Sequence, residues 1–532
     1  MITIPRNLRW KVAVSCLIGL ARIAASLLFV GVCKMLVDIA TGVSDTPLGL
    51  AIGFFVGIML LQVASGTAYQ YWLGRITVQT QNEMRQGLFS KILHSEWTGK
   101  DSVHSGDYVN RIEEDVRVVV ELLCDRIPDV AITVVQLIAA SIYLIVLQPG
   151  LAWVILILMP VAVIGSRLFF KTQRRLSARI RESDSRIQGH VQESIQNRML
   201  VKVFGVEKMS EEKMAGMQDE LEHTTYSRLG YNAIARSFMS FGFAGGYAAA
   251  FIWGVVGIRS GAVTFGMMTA FLQLVGQVQR PIADIARHIP AFIHALTSID
   301  RIKEIEALPS DGDGSMDILE ETPGIIVDNV SFAYPDAPSE MVLSGLSHDF
   351  KPGTVTAITG QTGAGKSTLI KLILGILKPV SGSVKLYPGD VPASPAALGN
   401  FMYVPQGNSL MSGTVRENLR LASPDASEEE MKAALHVAVA DFILDLPDGL
   451  DTLCSEKGGG LSEGQAQRIA IARALLHSGG IIILDEATSA LDPETETVLL
   501  DRLRDWSAGR KTVIWITHRP AVTAYTDAEL HI

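Results

Sequence analysis

The stretch Gly360-Gln361-Thr362-Gly363-Ala364-Gly365-Lys366-Ser367-Thr368 combines residue types that bind a nucleotide phosphate. Its glycines allow the backbone to curl around a phosphate group and to direct N–H groups inward. At this spacing Lys366 reaches the β- and γ-phosphates, and the Ser367 hydroxyl ligates Mg²⁺. A glycine-rich turn without such a function would not require Lys-Ser at these two positions. The stretch therefore predicts a phosphate-binding loop (P-loop).

A second motif supplies two carboxylates. The apolar residues 481–484 predict a buried strand, and Asp485 and Glu486 follow it directly. Beside a P-loop, such a strand places Asp485 against the Mg²⁺ shell. Glu486 then lies next to the γ-phosphate, where it can accept a proton from the attacking water. A buried strand with an acidic end is common by itself, but its combination with the P-loop favours a hydrolytic site.

The elements around the P-loop have the expected character. Residues 354–359 predict a buried strand, and residues 369–377 predict an apolar helix whose N-terminus receives the phosphate. Residues 307–323 form a polar linker with Gly and Pro, and alternating strand and helix patterns follow it. We therefore expect a linker at 307–323 and an α/β P-loop ATPase domain at 324–532.

The first part of the chain is apolar enough to lie in lipid. Of the 532 residues, 48% are hydrophobic and only 19% are charged, against about 25% charged residues in soluble proteins. A spanning helix needs about 20 apolar residues. Such segments occupy 12–37, 47–74, both sides of a turn at 148–150 within 130–166, 237–258 and 265–279. The sequence therefore predicts an all-α transmembrane domain of six long helices at 1–306, rather than buried helices of a soluble core.

The positions of Lys and Arg predict the orientation. Residues 6–11, 75–126 and 167–236 are rich in both, whereas the intervening loops carry few. Since cytoplasmic loops carry the positive excess, we expect a multi-pass protein of the plasma (inner) membrane with a cytoplasmic N-terminus and ATPase domain. The two long segments predict helical extensions of the spans, with glycine-marked reversals at 103–108 and 203–207.

Charge and cysteines exclude other classes. The formal net charge of -9 argues against a general nucleic-acid-binding protein. The four cysteines have no metal-ligand or redox spacing, so we interpret them as packing residues in a reducing compartment.

Leu461-Ser462-Glu463-Gly464-Gln465, shortly before Asp485, resembles the signature motif of the ATP-binding cassette (ABC) transporters. The other motifs of that family occur in order: Tyr334 is similar to the aromatic residue that stacks on adenine, Gln406 to the Q-loop glutamine, Asp492 to the aspartate of the D-loop, and His518 to the switch histidine. The resemblance covers nearly the whole chain. Six spans followed by one cassette resemble a half-transporter of the exporter type.

The resemblance implies an ATP-driven exporter that uses ATP and Mg²⁺. Its partners would be the lipid bilayer, a small or amphipathic substrate, and a second half-transporter in a homodimer or a heterodimer. Ser462 reads as the N-cap of the helix at 463–476, whose dipole attracts phosphate; in the family this helix faces ATP on the other protomer. The reversals at 103–108 and 203–207 correspond to coupling helices, and the second is implied to reach the partner's cassette.

The predicted site residues follow from the motifs and the resemblance together. The predicted catalytic residues are Glu486, His518 and Gln406; the metal ligands are Ser367, Gln406 and Asp485; the nucleotide-binding residues are Tyr334, Gly360, Gln361, Thr362, Gly363, Ala364, Gly365, Lys366, Ser367, Thr368, Ser462, Gly464, Gln465 and Asp492.

Two departures from the family pattern affect the interpretation. Glu463 replaces a glycine of the signature, and we expect it to point away from the nucleotide, because the helix dipole already favours an acid there. If it pointed inward, it could slow closure of the dimer on ATP. The chain stops at Ile532, where the family usually continues, so a short cassette edge and a truncated chain both fit.

An alternative function is the regulatory half of a heterodimeric transporter, with limited pumping of its own. A lost base or signature would be typical of that role, whereas Glu486, His518, Lys366 and Ser462 are present. The sequence does not name the substrate.

A polar stripe in the sixth span predicts part of the translocation path. Gln273, Gln277, Arg280, Asp284 and Arg287 are spaced by three or four residues, which places them on one face of a helix. Polar side chains are costly against lipid, so the stripe should face water or protein. The alternative is an Arg280–Asp284 pair against a neighbouring helix, with Arg287 already in the cytoplasm. A path lined by Arg280 and Arg287 would suit cargo with a negative or strongly polar group, and Arg22 is a weaker candidate.

Overall fold

The computed structural model describes residues 7–97, 105–150, 152–153, 157, 169–311, 318–335, 337–454 and 460–532. The chain divides into two compact units. The first comprises Met1–Ser90 and Ser105–Ala307, and the second comprises Lys91–His104 and Leu308–Ile532. A short segment between two helices of the first unit thus groups with the second, which no sequence pattern predicted. The sequence boundaries at 306 and 324 stay a prediction.

The first unit consists of helices. Their bounds are α1 Leu8–Ala40, α2 Leu48–Leu93, α3 Ser105–Asn110, α4 Val116–Glu121, α5 Ile127–Leu147, α6 Phe170–Gln196, α7 Arg198–Val203, α8 Glu207–Arg259 and α9 Phe265–Glu306. Two π-helical turns, Arg111–Asp115 and Leu122–Arg126, join α3, α4 and α5. With a rise of 1.5 Å per residue, the 46 residues of α2 extend about 69 Å. A bilayer core is only about 30 Å thick, so α2 continues well beyond it, as the sequence predicted.

Four helices of the described residues are long and apolar enough to cross a membrane: Leu8–Ala40, Leu48–Leu93, Gly106–Leu147 and Glu207–Arg259. The predicted span that follows the turn at 148–150 lies mostly outside the described residues. The predicted span at 265–279 is the first part of α9. This helix is not among those four, because its glutamines and Arg280 lower its mean hydropathy.

The two predicted reversals differ in outcome. Gly205 has a φ of 64° and separates α7 from α8. Contacts such as Arg186 with Glu220 at 3.0 Å and His190 with the Ser210 carbonyl at 3.1 Å show that α6 and α8 run antiparallel. At the other site, residues 103 and 104 lie outside the described part of the chain and Gly106 is the second residue of α3, so the reversal at 103–108 stays a prediction.

The second unit is an α/β fold with two main sheets. An antiparallel sheet has the order β2-β1-β4-β5, a parallel sheet the order β11-β3-β10-β9-β6, and β7 pairs with β8. The strands are β1 Gly324–Phe332, β2 Leu343–Phe350, β3 Val355–Thr359, β4 Ser381–Tyr387, β5 Val391–Pro392, β6 Phe401–Val404, β7 Gly413–Thr414, β8 Leu453–Cys454, β9 Ile481–Asp485, β10 Thr512–Ile516 and β11 Ala528–His531. The helices are α10 Lys366–Ile373, α11 Val415–Arg420, α12 Glu428–Val437, α13 Glu463–Leu475, α14 Pro493–Ser507 and α15 Pro520–Thr523.

The parallel sheet positions the predicted site. Every residue of β9 and β10 is buried, as is typical of strands covered on both faces. β3 and β9 both flank β10 and run parallel to it. Their carboxyl ends therefore meet at one edge of the sheet, where the P-loop follows β3 and Glu486 follows β9.

The segment at 94–97, which follows α2, docks within the second unit. Ser95 and Ser310 form a β-bridge, and the Glu96 N–H donates to the Pro309 carbonyl at 2.8 Å. Lys378 pairs with the Glu96 carboxylate at 2.8 Å. The Lys371 ammonium of α10 lies 4.2 Å from the centre of the Trp97 ring. Residues 96 and 97 are thus tied to the second unit through Lys371 and Lys378.

Candidate nucleotide site

The P-loop has the backbone that its glycines predicted. Gly360, Gly363 and Gly365 have φ values of 148°, 87° and 100°, a region that L side chains avoid. Lys366 is only 7% exposed, and its ammonium donates to the carbonyls of Gly360 at 2.8 Å and Gln361 at 3.0 Å. The lysine is therefore held inside the loop by the loop's own backbone.

Tyr334 and Thr368 belong to one contact beside the loop. Their hydroxyl groups are 3.0 Å apart, and the Tyr334 ring meets Phe332 edge-on with centroids 5.0 Å apart. Thr368 is buried whereas Ser367 is exposed. Thr368 therefore orients the aromatic ring, and the Ser367 hydroxyl is the accessible one.

Three predicted catalytic side chains meet at one carboxylate. The Gln406 amide, two residues after β6, donates to Glu486 Oε2 at 2.8 Å. His518 Nε2, two residues after β10, lies 3.6 Å from Glu486 Oε1. The Glu486 backbone has a φ of 49°, and its N–H donates to the Ile516 carbonyl at 3.1 Å. This left-handed residue turns the chain out of β9 and presents the carboxylate at the edge of the sheet.

Asp485 is a buried carboxylate that suits a cation. It is 5% exposed, and the Tyr403 hydroxyl donates to it at 3.4 Å. Burial and the neighbouring Glu486 charge raise the pKa of Asp485, against the effect of Tyr403 and Lys366. Burial and the Asp485 charge raise the pKa of Tyr403 in turn. A bound cation would offset the burial of this charge.

The chemistry of the donors matches Mg²⁺ better than a metal held by protein alone. Of the residues that the structure describes, no three His, Cys, Asp or Glu side chains form a metal-binding group. Mg²⁺ characteristically uses one or two carboxylates together with substrate phosphates and water. One buried carboxylate and one accessible hydroxyl are consistent with that arrangement.

The signature begins a well-capped helix. The Ser462 hydroxyl accepts from the Gln465 N–H at 3.2 Å, and the Gln465 side chain accepts from the Ser462 N–H at 2.9 Å. Glu463 lies exposed in the first turn. A Cβ at Gly464 would lie 2.7 Å from the Ala490 carbonyl oxygen, so this glycine allows α13 to approach the D-loop. Within the described part of the chain, these signature residues make no hydrogen bond to the P-loop.

Asp492, which was predicted to bind nucleotide, also has a structural role as a helix N-cap. Its carboxylate caps α14 by accepting from the Thr495 N–H at 2.9 Å. This hydrogen bond lowers the pKa of Asp492.

Two residues that the motifs did not single out hold the D-loop. Gln467, 1% exposed, donates to the Ser489 hydroxyl at 3.1 Å and accepts from the Ala490 N–H at 3.3 Å. Arg519 donates to the carbonyls of Ser489 at 2.8 Å and Leu491 at 3.1 Å. It thereby connects the switch histidine to the D-loop. A polar Gln467 among the mostly buried positions of α13 leaves no clear signal in the sequence, since this helix contains other polar residues.

The family models match both halves of the chain. The model described as "ABC transporter transmembrane region" matches residues 12–282, and the model described as "ABC transporter" matches residues 343–489. The first of these covers just over half of the chain.

Individual proteins are similar over most of this chain. An "ATP-dependent lipid A-core flippase" of Chromobacterium violaceum is 30% identical over 97% of this chain and 89% of its own. A "Mitochondrial potassium channel ATP-binding subunit" of Xenopus tropicalis is 31% identical over 86% of this chain and 67% of its own. A solved structure, described as "Structure of a bacterial Atm1-family ABC exporter with ATP bound", has a TM-score of 0.81 at 24% identity over 99% of this chain and 94% of that chain. This last similarity concerns the fold.

Proposed function

The chain belongs to the ABC transporter family, as a membrane-spanning half-transporter of the exporter type with an ATP hydrolase domain, and on this premise we propose how it works. Two cassettes close on ATP and turn the membrane domain outward, and hydrolysis then resets it. The contact of Gln406, Glu486 and His518 is the observation that carries the proposal. It brings a proton acceptor, an amide and an imidazole to one point beside the P-loop.

Each side chain has a proposed task in hydrolysis. Glu486 accepts the proton of the attacking water. Gln406 positions that water, and His518 contacts the γ-phosphate. Lys366 leaves the carbonyls of Gly360 and Gln361 to bind the β- and γ-phosphates. Ser367, Asp485 and Gln406 are the proposed Mg²⁺ ligands, and the ion would neutralise charge on the phosphate oxygens.

Half-transporters of this family function as dimers, and two features support a second chain here. The capped N-terminus of α13 offers unpaired N–H groups for a phosphate, and we propose that this phosphate belongs to ATP on the partner. At the turn between α7 and α8, Met199, Val203 and Phe204 are 81%, 69% and 71% exposed. Apolar side chains exposed together mark an interaction site, and we propose that they contact the cassette of the second chain.

The membrane and its orientation are also part of the proposal. The distribution of Lys and Arg supports an inner-membrane protein with a cytoplasmic N-terminus and cassette.

The test is ATPase activity of the purified chain in lipid nanodiscs, compared with Glu486→Gln. We expect the variant to lose hydrolysis and keep ATP binding, because only the proton acceptor is removed. Equal activity would refute the catalytic role of Glu486. A wild-type chain that is inactive alone and active only with a second, different half-transporter would favour the regulatory alternative.

A further inference from the structure

Arg22 lies on the side of α1 that packs into the helix bundle. Residues four apart share a helix face, and Ser26, one turn further on, contacts α9 through the Gln277 amide at 3.0 Å. On the opposite side, Leu17 and Leu28 are 68% and 57% exposed. The guanidinium of Arg22 therefore belongs to the interior of the membrane-spanning unit rather than to its lipid face.

Among the residues that the structure describes, Arg22 forms no ion pair. Its guanidinium carbon lies 5.3 Å from the centre of the Tyr69 ring on α2. Tyr69 is itself 4% exposed, and its buried hydroxyl has no hydrogen-bond partner among the described residues. Unpaired polar groups in a membrane interior are costly and mark functional sites. The donors of Arg22 and Tyr69 thus lie close to each other, and among the described residues neither has an acceptor.

The nearby carboxylates are engaged elsewhere. Asp129 Oδ2 lies 3.2 Å from His288 Nε2, and Asp125 Oδ2 lies 3.8 Å from Arg126 Nε. Among the described residues, neither carboxylate comes within ion-pair distance of Arg22. The guanidinium of Arg22 and the hydroxyl of Tyr69 are hydrogen-bond donors. They would therefore bind a ligand that supplies acceptors, which argues against a cationic ligand.

Helix α9 continues the polar surface beside Arg22. Gln277 meets Ser26, and Gly266 near the start of α9 lies against Lys34 and Asp38 of α1, so α1 and α9 run antiparallel. This register places Arg280 within about one turn of the level of Arg22. Arg280 is exposed and has no hydrogen bond or ion pair in the part of the chain that the structure describes. Within the same described residues, the buried Oε1 of Gln277 also has no hydrogen-bond partner.

We propose that Arg22 and the Tyr69 hydroxyl form a subsite for the anionic group of the transported molecule, a carboxylate, sulfate or phosphate. The guanidinium binds two oxygens side by side, and the phenol donates a third hydrogen bond. Apolar Ile23 and Ile132, which pack with Tyr69, suit the hydrocarbon part of an amphipathic cargo. The inference rests on the proposed export function and names its substrate class.

The test measures binding without nucleotide, in the full chain in phosphatidylcholine nanodiscs. Radiolabelled dodecyl phosphate is the probe, and dodecanol is its uncharged control. We expect saturable binding of dodecyl phosphate and no saturable binding of dodecanol. Arg22→Gln should weaken it about tenfold or more, because a charge-assisted pair is lost. Tyr69→Phe should weaken it about threefold, as for one neutral hydrogen bond.

Matched variants separate binding from folding. Arg22→Lys keeps a cation and should restore part of the affinity, whereas Arg259→Gln, at the end of α8, should bind like wild type. Monodispersity and the thermal unfolding midpoint identify a misfolded variant. If Arg22→Gln misfolds, the binding measured for Tyr69→Phe tests the proposal, because that substitution removes only one heavy atom. Equal binding of both probes, or unchanged binding in Arg22→Gln and Tyr69→Phe, would overturn the proposal.

Competition identifies the source of the anion. Displacement by inorganic phosphate indicates a water-soluble anion, and displacement by phosphatidylglycerol in the nanodisc indicates a lipid headgroup. Displacement by neither would count against an anion subsite. The binding assay contains no ATP. A lack of anion binding therefore does not bear on the proposed ATPase activity, and a lack of ATPase activity does not bear on the measured anion binding.

Discussion

At the scale of single residues, the nucleotide site depends on groups whose partners must change during the cycle. The Lys366 ammonium is bonded to the carbonyls of Gly360 and Gln361, and the Glu486 carboxylate is bonded to Gln406. Each is thus fixed in place by a neutral partner that a phosphate or a water molecule can replace. Such preorganisation reduces the rearrangement needed for chemistry.

Lys366→Ala should reduce ATP hydrolysis by on the order of 100-fold or more, because the phosphates lose the one side-chain cation of the P-loop. ATPase activity in nanodiscs measures this. Lys351→Ala, on an exposed position of the same unit, is the control and should retain activity. Hydrolysis that persists in the Lys366 variant would contradict the assigned site.

Gly464→Ala should impair the cassette for a steric reason. The new Cβ would lie 2.7 Å from the Ala490 carbonyl oxygen and 3.2 Å from Leu491 Cδ2. Overpacking of this kind costs about 1–3 kcal/mol, so we expect lower ATPase activity and a lower thermal unfolding midpoint. The control is Gly216→Ala, an exposed helical glycine with open space around it. Wild-type ATPase activity and unfolding midpoint for Gly464→Ala would mean that the D-loop moves to accommodate the new Cβ without loss of activity or stability.

At this scale the sequence predicted residue types better than residue partners. Glu486, Gln406 and His518 were identifiable from their motifs, since each has a fixed distance from a strand. The tasks of Thr368, with its hydrogen bond to Tyr334, and of Gln467 depend on tertiary contacts. No local pattern encodes those contacts, so they could not be predicted.

At the scale of elements, α9 combines two surfaces. Gln273 and Arg280 are exposed, whereas Leu274, Val275 and Val278 are fully buried. The predicted periodicity is therefore present, although Gln277 uses its amide to contact α1. Arg287 has no described side chain, and its interpretation stays a prediction.

Cysteine scanning along α9 tests whether this surface lines a water-filled path. In a background without Cys16, Cys33, Cys124 and Cys454, a water-soluble thiol reagent should label positions 273, 277, 280 and 284. Labelling should be strongest at 273 and 280, which are exposed, and absent at 274, 278, 282 and 285. Labelling without this period would show that the stripe is structural.

The elements themselves were predictable to different degrees. Long apolar runs identified α1, α2 and α8 because lipid imposes both length and composition. A glycine alone is a weaker signal: Gly205 follows the end of a helix and has a positive φ, whereas Gly106 lies in the first turn of α3. The π turns before α5 leave no sequence pattern, since they depend on packing.

At the scale of the whole molecule, the proposed nucleotide site needs a second chain. The P-loop and the catalytic carboxylate lie at one sheet edge, while the signature offers its helix N-terminus without a hydrogen bond to them in the described residues. This arrangement is consistent with the proposed sandwich, in which ATP joins two chains.

Glu486→Gln should trap that sandwich, because nucleotide contacts remain while hydrolysis is lost. A cysteine beside Ser462 in one chain and one beside Gly363 in the other report closure through disulfide crosslinking. We expect ATP to raise the crosslinked fraction in the Glu486 variant. ADP serves as the control. A crosslinked fraction that does not respond to ATP would argue against the sandwich.

The docked segment at 94–97 also sets an order of events during synthesis. Glu96 and its partner Lys378 are 282 residues apart, and a ribosome adds about 5–20 residues per second. The ribosome therefore synthesises Lys378 on the order of 15 to 55 s after Glu96. Until then the Glu96 carboxylate and the Trp97 ring lack the domain that they contact. The segment must stay accessible during that time, so it docks only after the residues that contact it have been synthesised.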